Sequence, residues 1–447
     1  MRFAISLCLA LAFAPLLAQG PGPDYAARGR AVVENIAAGK TAPVAADFDA
    51  QMTASLPPER LASIWQQISE HVGPYRGIAG VTVSREAARH VAVVECRFGD
   101  AVWETLVVFD NQNKIGGLFF RPKAEAAAGP EWSAPAYAQP AKFHETALTV
   151  SDGQWQLPGT LTLPDGAGPF PAVVLVHGSG PEDADETIGP NKPFKDLAWG
   201  LASKGIAVLR YEKRTKKYGA ASAPPGQPLT VNDETVNDAR AAVALAAQQK
   251  EIDPRRVYLL GHSLGGYLAP RIASGDAKIS GIILLAGSAR GLADVIVDQM
   301  RYLATVAPGE GGVTAATEAS VEASAKQIHD PGLKPTDTIT LLGSTIPGAY
   351  FLDLRGYDPA ATAARLTIPI LVLQGGRDYQ VTQTDYALWQ KALNGHANAH
   401  FQFFPALDHL FMTAPGDGLV TPRDYRLAGH VDPQVLTAIS NFVNPKS

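Results

Sequence analysis

Two hydrophobic rhythms divide this chain. From Pro58 to Val72, the apolar residues Leu61, Ile64, Trp65, Ile68 and Val72 recur every three or four positions and so share one face of a helix. Pro58 suits its first turn, where a missing N–H costs nothing. Helices are also predicted over Arg28 to Ala38 and, shorter, over Val44 to Met52. Strand patterns follow at Gly80 to Ser84, Ala88 to Phe98, Ala101 to Phe109 and Lys114 to Phe120. Gly99-Asp100 and Asp110-Asn111-Gln112-Asn113 mark hairpin turns between them. Helices followed by an antiparallel meander predict a small α+β domain over residues 24–120.

From residue 143 onward the rhythm changes. Pro171 to Val176, Gly281 to Gly287 and Pro369 to Gln374 are continuous uncharged runs, the pattern of buried parallel strands. Helical patterns alternate with them, notably the Ala-rich stretch from Val231 to Gln249 with Asp233 and Glu234 at its start. This alternation predicts an α/β fold over 143–447, a doubly wound, mostly parallel sheet with helices on both faces. Residues 121–142, with Pro122, Pro130, Pro135 and Pro140 among several alanines, read as a linker. The segment 288–362 is too long for a bare loop, and Val295, Ile296, Gln299, Tyr302 and Leu303 within it have helical spacing.

The candidate chemistry sits at strand ends. The strand-like run Arg256 to Leu260 leads into Gly261-His262-Ser263-Leu264-Gly265, and the small apolar run Gly266 to Ala269 follows as a helix would. Strand, G-x-S-x-G turn and helix make a nucleophile elbow, with glycines where side chains would clash. A hydroxyl is a poor nucleophile near neutral pH, so Ser263 needs a base, and the base needs an orienting acid. In this architecture the order is Ser, acid, His. Asp378 turns off the end of one buried run through Gly375-Gly376-Arg377, and His409 leaves the last strand pattern, His400 to Phe404, through Pro405-Ala406-Leu407-Asp408. Ser263 is therefore assigned as nucleophile, His409 as general base then acid, and Asp378 as its orienter. Asp408 is the rival acid, but a side chain next in sequence to His409 is badly placed to accept from that ring.

The loop after the run 171–176 reads His177-Gly178-Ser179-Gly180-Pro181. Its amide at Ser179, with Gly178 as second choice, and the amide of Leu264 are the expected oxyanion donors. His177 is read as a brace for the loop. Without an HExxH or C-x-x-C pattern, no metal site is expected.

From about residue 143 to 447 the chain resembles the α/β-hydrolase superfamily, and within it bacterial extracytoplasmic serine esterases of the dienelactone-hydrolase-like type. Three stretches carry the closer likeness. They are His177 to Pro181 with Asp185 to Phe194 behind it, Arg210 to Arg214, and Tyr357-Asp358-Pro359 leading into Gly375 to Val381. Thr215 stands where relatives often have Gly. The resemblance implies hydrolysis of a small-molecule carboxylic ester through an acyl-Ser intermediate, without a cofactor. It also implies a helical cap from Gly291 to Thr345 over the active-site edge, with Tyr350, Phe351, Leu352 and Tyr357 as candidate pocket residues. Thioesterase or peptidase chemistry on the same triad, and carbon–carbon bond hydrolysis, are the alternatives. Residues 24–120 resemble the nuclear-transport-factor and ketosteroid-isomerase fold, on Phe48 to Met52, Val108-Phe109-Asp110 and Lys114 to Leu118. With no acid–base pair in it, this domain is read as an accessory or oligomerisation module.

Composition narrows the setting. The 447 residues carry a formal net charge of −5, with no basic stripe for a nucleic acid. Lys213, Arg214, Lys216 and Lys217 form one short basic run, read as a solvated loop. Arg2, the apolar run Phe3 to Leu17 and the small Ala18 make residues 1–18 a signal peptide, too short to span a bilayer. A secreted or periplasmic protein without stable membrane insertion after cleavage is expected. Cleavage removes Cys8 and leaves Cys96, which cannot form an internal disulfide and reads as a packing residue.

Overall fold

The computed structural model describes residues 23–86, 89–99, 101–123, 132–224, 226–308, 313–342, 344–414 and 416–445. The expected signal peptide, with Cys8, and Asp100 of the first hairpin lie outside the described residues. The chain forms two compact units, Met1–Ala126 and Ala127–Ser447. No helix among the described residues is long and apolar enough to cross a membrane.

In the first unit, helices Tyr25–Ala37, Thr41–Ala45, Ala50–Ser55 and Pro58–Val72 precede strands β1 (Tyr75–Glu86), β2 (Arg89–Phe98), β3 (Ala101–Phe109) and β4 (Ile115–Pro122). The strands pair antiparallel in the order β1-β2-β3-β4. Val33, Ile36, Leu61 and Trp65 from the helices close a core against Val94, Cys96, Phe98, Val107 and Phe109. The single helix expected over Val44 to Met52 is two helices. Phe48 between them pairs with Ile115, and the Asp49 carboxylate accepts from the Met52 amide at 2.7 Å, which starts a new helix rather than continuing the first.

The second unit begins with β5 (Phe143–Asp152), β6 (Trp155–Pro164), β7 (Phe170–Val176), β8 (Ala207–Tyr211), β9 (Ile252–His262) and β10 (Ile279–Leu285). It continues with a hairpin, β11 (Thr338–Leu341) and β12 (Ser344–Pro347), and ends with β13 (Ile370–Gly375) and β14 (Ala399–Phe404). Apart from the hairpin, these form one eight-stranded sheet in the order β14-β13-β10-β9-β7-β8-β6-β5. Only the β5–β6 and β6–β8 pairs are antiparallel. The parallel run brings the residues that follow β7, β9, β13 and β14 to one edge, where α/β sheets bind ligands.

Several local expectations change. The helix expected from Val231 to Gln249 opens with one wide π-type turn, Asn232–Val236, before the α-helix Asn237–Ala247. The cap segment contains helices Leu292–Val306 and Ala315–His329 but also the β11–β12 hairpin, so it is not all helical. Part of the expected linker is fixed to the second unit. Trp132 donates its indole N–H to Asp196 at 2.9 Å and packs edge-on against Trp199, and the Gln139 amide donates to Ser203. Aromatic burial anchors that stretch where its proline content suggested a free spacer. The basic run is not wholly solvated: Lys213 and Arg214 are buried, and Arg214 pairs with Asp238 and Asp152 and lies over the Trp155 ring. Lys216 and Lys217 are exposed.

Gly265→Ala is expected to destabilise the protein by about 3 kcal/mol or more, because its Cβ would lie 2.2 Å from the Val176 carbonyl oxygen. Gly205→Ala, at φ +81° with nothing within 4 Å of its Cβ, should cost only about 1 kcal/mol. Urea melts of the two variants check the ranking; equal losses would refute close packing at the elbow.

Candidate active site

Strand β9 runs straight into the elbow. Ser263 sits at φ 51°, ψ −113°, and the helix Leu264–Ala273 starts at the next residue. Such angles are strained for a residue with a side chain and persist only when surroundings hold them. Two bonds do so: the Ser263 amide donates to the Leu285 carbonyl, and the Tyr267 amide to the Ser263 carbonyl, both at 2.9 Å. Ser263 is left half-buried at the sheet edge.

Asp378 and His409 meet there. His409 Nδ1 lies 2.7 Å from Asp378 Oδ2. A carboxylate only accepts, so Nδ1 carries the proton and Nε2 is left with a lone pair that can take one. Asp378 is itself fixed: its Oδ1 accepts from the Gln380 amide at 2.7 Å and the Val381 amide at 3.0 Å. The rival Asp408 is engaged elsewhere, accepting from the Leu410 amide at 2.9 Å and the Met412 amide at 3.0 Å. It shapes the turn that carries His409, and burial pushes its carboxyl up to about 6. The structure thus joins Asp378 to His409 and places both beside the elbow. His262, the residue before Ser263, donates from Nε2 to the His409 carbonyl oxygen at 2.9 Å, and the two imidazoles lie 4.7 Å apart. The Ser263 hydroxyl and His409 are not hydrogen-bonded to each other, a contact that commonly closes only in a complex.

The loop after β7 crosses the elbow closely. A Cβ on Gly178 would lie 3.3 Å from Ser263 Cβ. The Gly178 amide is taken by Glu186 Oε1 at 2.7 Å, which removes the second-choice donor. Among the described residues, neither the Ser179 nor the Leu264 amide has a protein acceptor, so both can serve a ligand oxygen. His177 is buried, bonds through Nε2 to the Asp183 carbonyl, and is held down to about 4 by burial.

Sequence reasoning missed the buried ions around this loop. Glu186 and His262 approach to 2.9 Å, Oε2 to Nδ1, outside good hydrogen-bond angles. Burial opposes the charge on His262, but Glu186 outweighs it and holds the imidazole up at about 8. The Glu186 carboxyl is likewise held below its usual range by His262 despite burial. Lys213 donates from Nζ to the Gly178 carbonyl at 2.8 Å. Glu186 and Lys213 both fall within stretches that carried the family resemblance, a signal that marked them without revealing their contacts. Of the candidate pocket residues, Tyr350 donates to Glu234 Oε2 and Tyr357 to the Tyr267 carbonyl, both at 2.8 Å. Phe351 and Tyr357 line a cavity of about 380 Å³ with Tyr267, Leu292 and Ile328, a lining that contains no member of the Ser263, Asp378 and His409 set. Leu352 is half-buried. Of these, Tyr357 is tied to the helix after the elbow and Tyr350 to the turn Asn232–Val236.

The sheet order, the elbow and the acid–histidine pair at its edge define the α/β-hydrolase class. Residues 173–421 match the alpha/beta hydrolase family, and the chain belongs to that family. Residues 30–118 match a family described as a protein of unknown function (DUF3887). Along most of its length the chain is similar to Esterase EstD of Thermotoga maritima, 40% identical over 395 residues, 88% of this chain and 89% of that protein. It is also similar to the quorum-quenching protein AidA of Acinetobacter baumannii, 23% identical over 51% of this chain and 74% of that one. Among solved structures, an esterase of Pyrococcus furiosus superposes with TM-score 0.41 at 17% identity, covering 63% of this chain and 89% of its own.

His262 makes stability depend on pH. A histidine whose folded value of about 8 exceeds its ordinary 6.5 contributes stability that is complete below 6.5 and is lost as pH rises through 8. The charged or titratable groups that act on it are Glu186, Glu182, Asp378 and His409. Between pH 6.5 and 8.5 the wild type should lose about 1 to 2 kcal/mol that His262→Gln does not lose. Chemical denaturation at the two pH values measures this, and parallel losses in both proteins would contradict it.

Proposed function

We propose that this protein hydrolyses small-molecule carboxylic esters through an acyl intermediate on Ser263. One observation carries the reading: an Asp378–His409 hydrogen bond of 2.7 Å beside a serine at φ 51° on a strand-to-helix elbow. The extended similarity to an esterase supports the same reaction class.

In this mechanism Ser263 Oγ attacks the ester carbonyl carbon while its proton passes to His409 Nε2. Asp378 keeps the imidazole oriented and stabilises the imidazolium. The Ser179 and Leu264 amides receive the negative oxygen of the tetrahedral intermediate, each worth about 3 kcal/mol. Collapse breaks the bond to the alcohol, which leaves with the proton from His409. Water then repeats the sequence on the acyl-enzyme, giving the acid and restoring Ser263. No step calls for a cofactor.

Export belongs to the same proposal. Arg2 and the apolar run Phe3 to Leu17 support removal of a leader at Ala18 and a secreted or periplasmic site of action. The first unit, helices on an antiparallel meander, is assigned an accessory or self-association role.

Turnover of aryl esters of graded acyl length, beside thioesters and aminoacyl amides, tests the reaction class; esters should be preferred. Ser263→Ala should fold normally and lose all turnover. Asp378→Asn should lower kcat by about 10⁴-fold through the wrong histidine tautomer. Full activity in Ser263→Ala would refute the assignment. Mass spectrometry of the exported chain locates its N-terminus, and light scattering gives its mass in solution.

A further inference from the structure

The proposed reaction leaves unused a group of ions buried around the oxyanion loop. Glu186 and His262 are almost fully buried, yet neither reaches a reacting atom. Burying such charges is costly unless their geometry is well satisfied. Here the partners are particular ones. Glu186 Oε1 accepts from the Gly178 amide at 2.7 Å, one residue before the Ser179 donor. Glu186 Oε2 lies 2.9 Å from His262 Nδ1, and His262 Nε2 donates to the His409 carbonyl at 2.9 Å. One carboxylate therefore links the loop that receives substrate charge to the backbone of the residue that moves the proton.

Two further features single Glu186 out. Its backbone is left-handed, φ 51°, a conformation that suits glycine and is strained for Glu. The chain keeps that strain where the side chain reaches both partners. The next peptide is also held, because Lys213 Nζ donates at 2.8 Å to the Gly178 carbonyl, which shares its peptide group with the Ser179 N–H. Lys213 lies 3.5 Å from Glu234 Oε1, and the other oxygen of Glu234 accepts from Tyr350 in the cap segment. Gly178 is gripped through its N–H by an anion and through its C=O by a cation.

We propose that Glu186 is a positioning residue for ester hydrolysis, setting the Ser179 amide and, through His262, the His409 main chain against one Ser263 hydroxyl. The proposal rests on the roles given above to Ser263, His409 and Ser179. Oxyanion donors act at the position the oxygen takes in the transition state, and displacements of about 1 Å cost about 100-fold in rate. Ester binding in the ground state does not depend on that alignment, so the loss belongs in kcat and not in KM.

The test compares Glu186→Gln, Glu186→Asp and Glu186→Ala in the full-length mature protein. Two readouts are used: aryl-ester kinetics, and the rate at which a fluorophosphonate labels Ser263. In labelling, the Ser263 Oγ–P bond forms, P–F breaks, fluoride leaves and the serine proton goes to His409. Gln keeps an acceptor for the Gly178 amide and offers an N–H to neutral His262, so it should label and turn over within about 3-fold of wild type, keeping the geometry. Asp is one methylene too short to reach both partners, and Ala reaches neither. Both should label about 100-fold more slowly and lose kcat equally, with KM within about twofold. If the Ala variant does not fold, Gln against Asp decides. Equal rates in Gln and Asp, a wild-type rate in Ala, or a loss confined to KM would overturn the proposal. Wild-type labelling without turnover of any ester would sink the ester reading while leaving this comparison intact, and an unreactive Ser263 would sink both.

Discussion

Between residues 261 and 266 the chain turns in so little space that a Cβ at Gly261 would lie 2.1 Å from the Gly265 carbonyl oxygen. A Cβ at Gly265 would lie 2.2 Å from the Val176 oxygen, and one at Gly266 2.7 Å from the Gly287 Cα. The helix after the elbow is thus seated directly on the exits of β7 and β10. That seating needs three glycines and leaves Ser263, at φ 51°, as the residue that bears the turn's strain. The strain is maintained by the sheet: Leu260 pairs with Leu175 on one side and Ile283 on the other, and the Ser263 amide is tied to Leu285. Everything else at the site follows from this fixed point. Because β7, β9, β13 and β14 run parallel, the loops at 177–179, 376–378 and 405–409 open toward the same edge.

How much of this could be read beforehand depended on the range of the interaction. The elbow is local: two flanking glycines, an apolar strand and a small-residue helix are contiguous, and their sterics are visible in the letters. Asp378 and His409 are distant in sequence, but each follows a buried strand pattern, and parallel strands present their ends together. The buried ions had no such signal. Lys213 and Arg214 stand beside Lys216 and Lys217, and a charge run looks solvated when its partners are unseen. Arg214 instead meets Asp238 and Asp152, and Lys213 meets the Gly178 carbonyl, contacts that exist only after the sheet has formed. The break at Asp49 was legible in principle, since Asp is a strong helix-starting residue, but the apolar spacing across it suggested continuity.

The two adjacent cations show how one short segment serves two ends. Arg214 is held by a bidentate contact to Asp238 and lies over Trp155, so its fork bolts the loop after β8 to the helix Asn237–Ala247. Lys213, a point charge on a flexible stem, reaches the loop over Ser263. Asp238, which faces Arg214, and Glu186, which holds the Gly178 amide, also differ. Burial pushes the Asp238 carboxyl up to about 6 even beside Arg214, whereas His262 keeps Glu186 below the usual range. Two bolts of similar composition therefore differ in their electrostatic balance. The one that holds the Gly178 amide keeps its carboxylate ionised, and ionisation strengthens the bond that Glu186 accepts there.

This arrangement also explains a resting site in which Ser263 and His409 are not bonded. Their alignment is not stored in a bond between them. It is stored in what holds each one: the strained elbow for Ser263, and for His409 a carboxylate on the ring and an imidazole on the carbonyl. Fixing the histidine at two separate points leaves its Nε2 oriented whether or not the serine hydroxyl is turned toward it. Under the proposed mechanism, the hydroxyl is the part left to turn when an ester carbonyl reaches the Ser179 and Leu264 amides. The energy of organisation then resides in the folded protein, and the arriving substrate has only one light rotor to align.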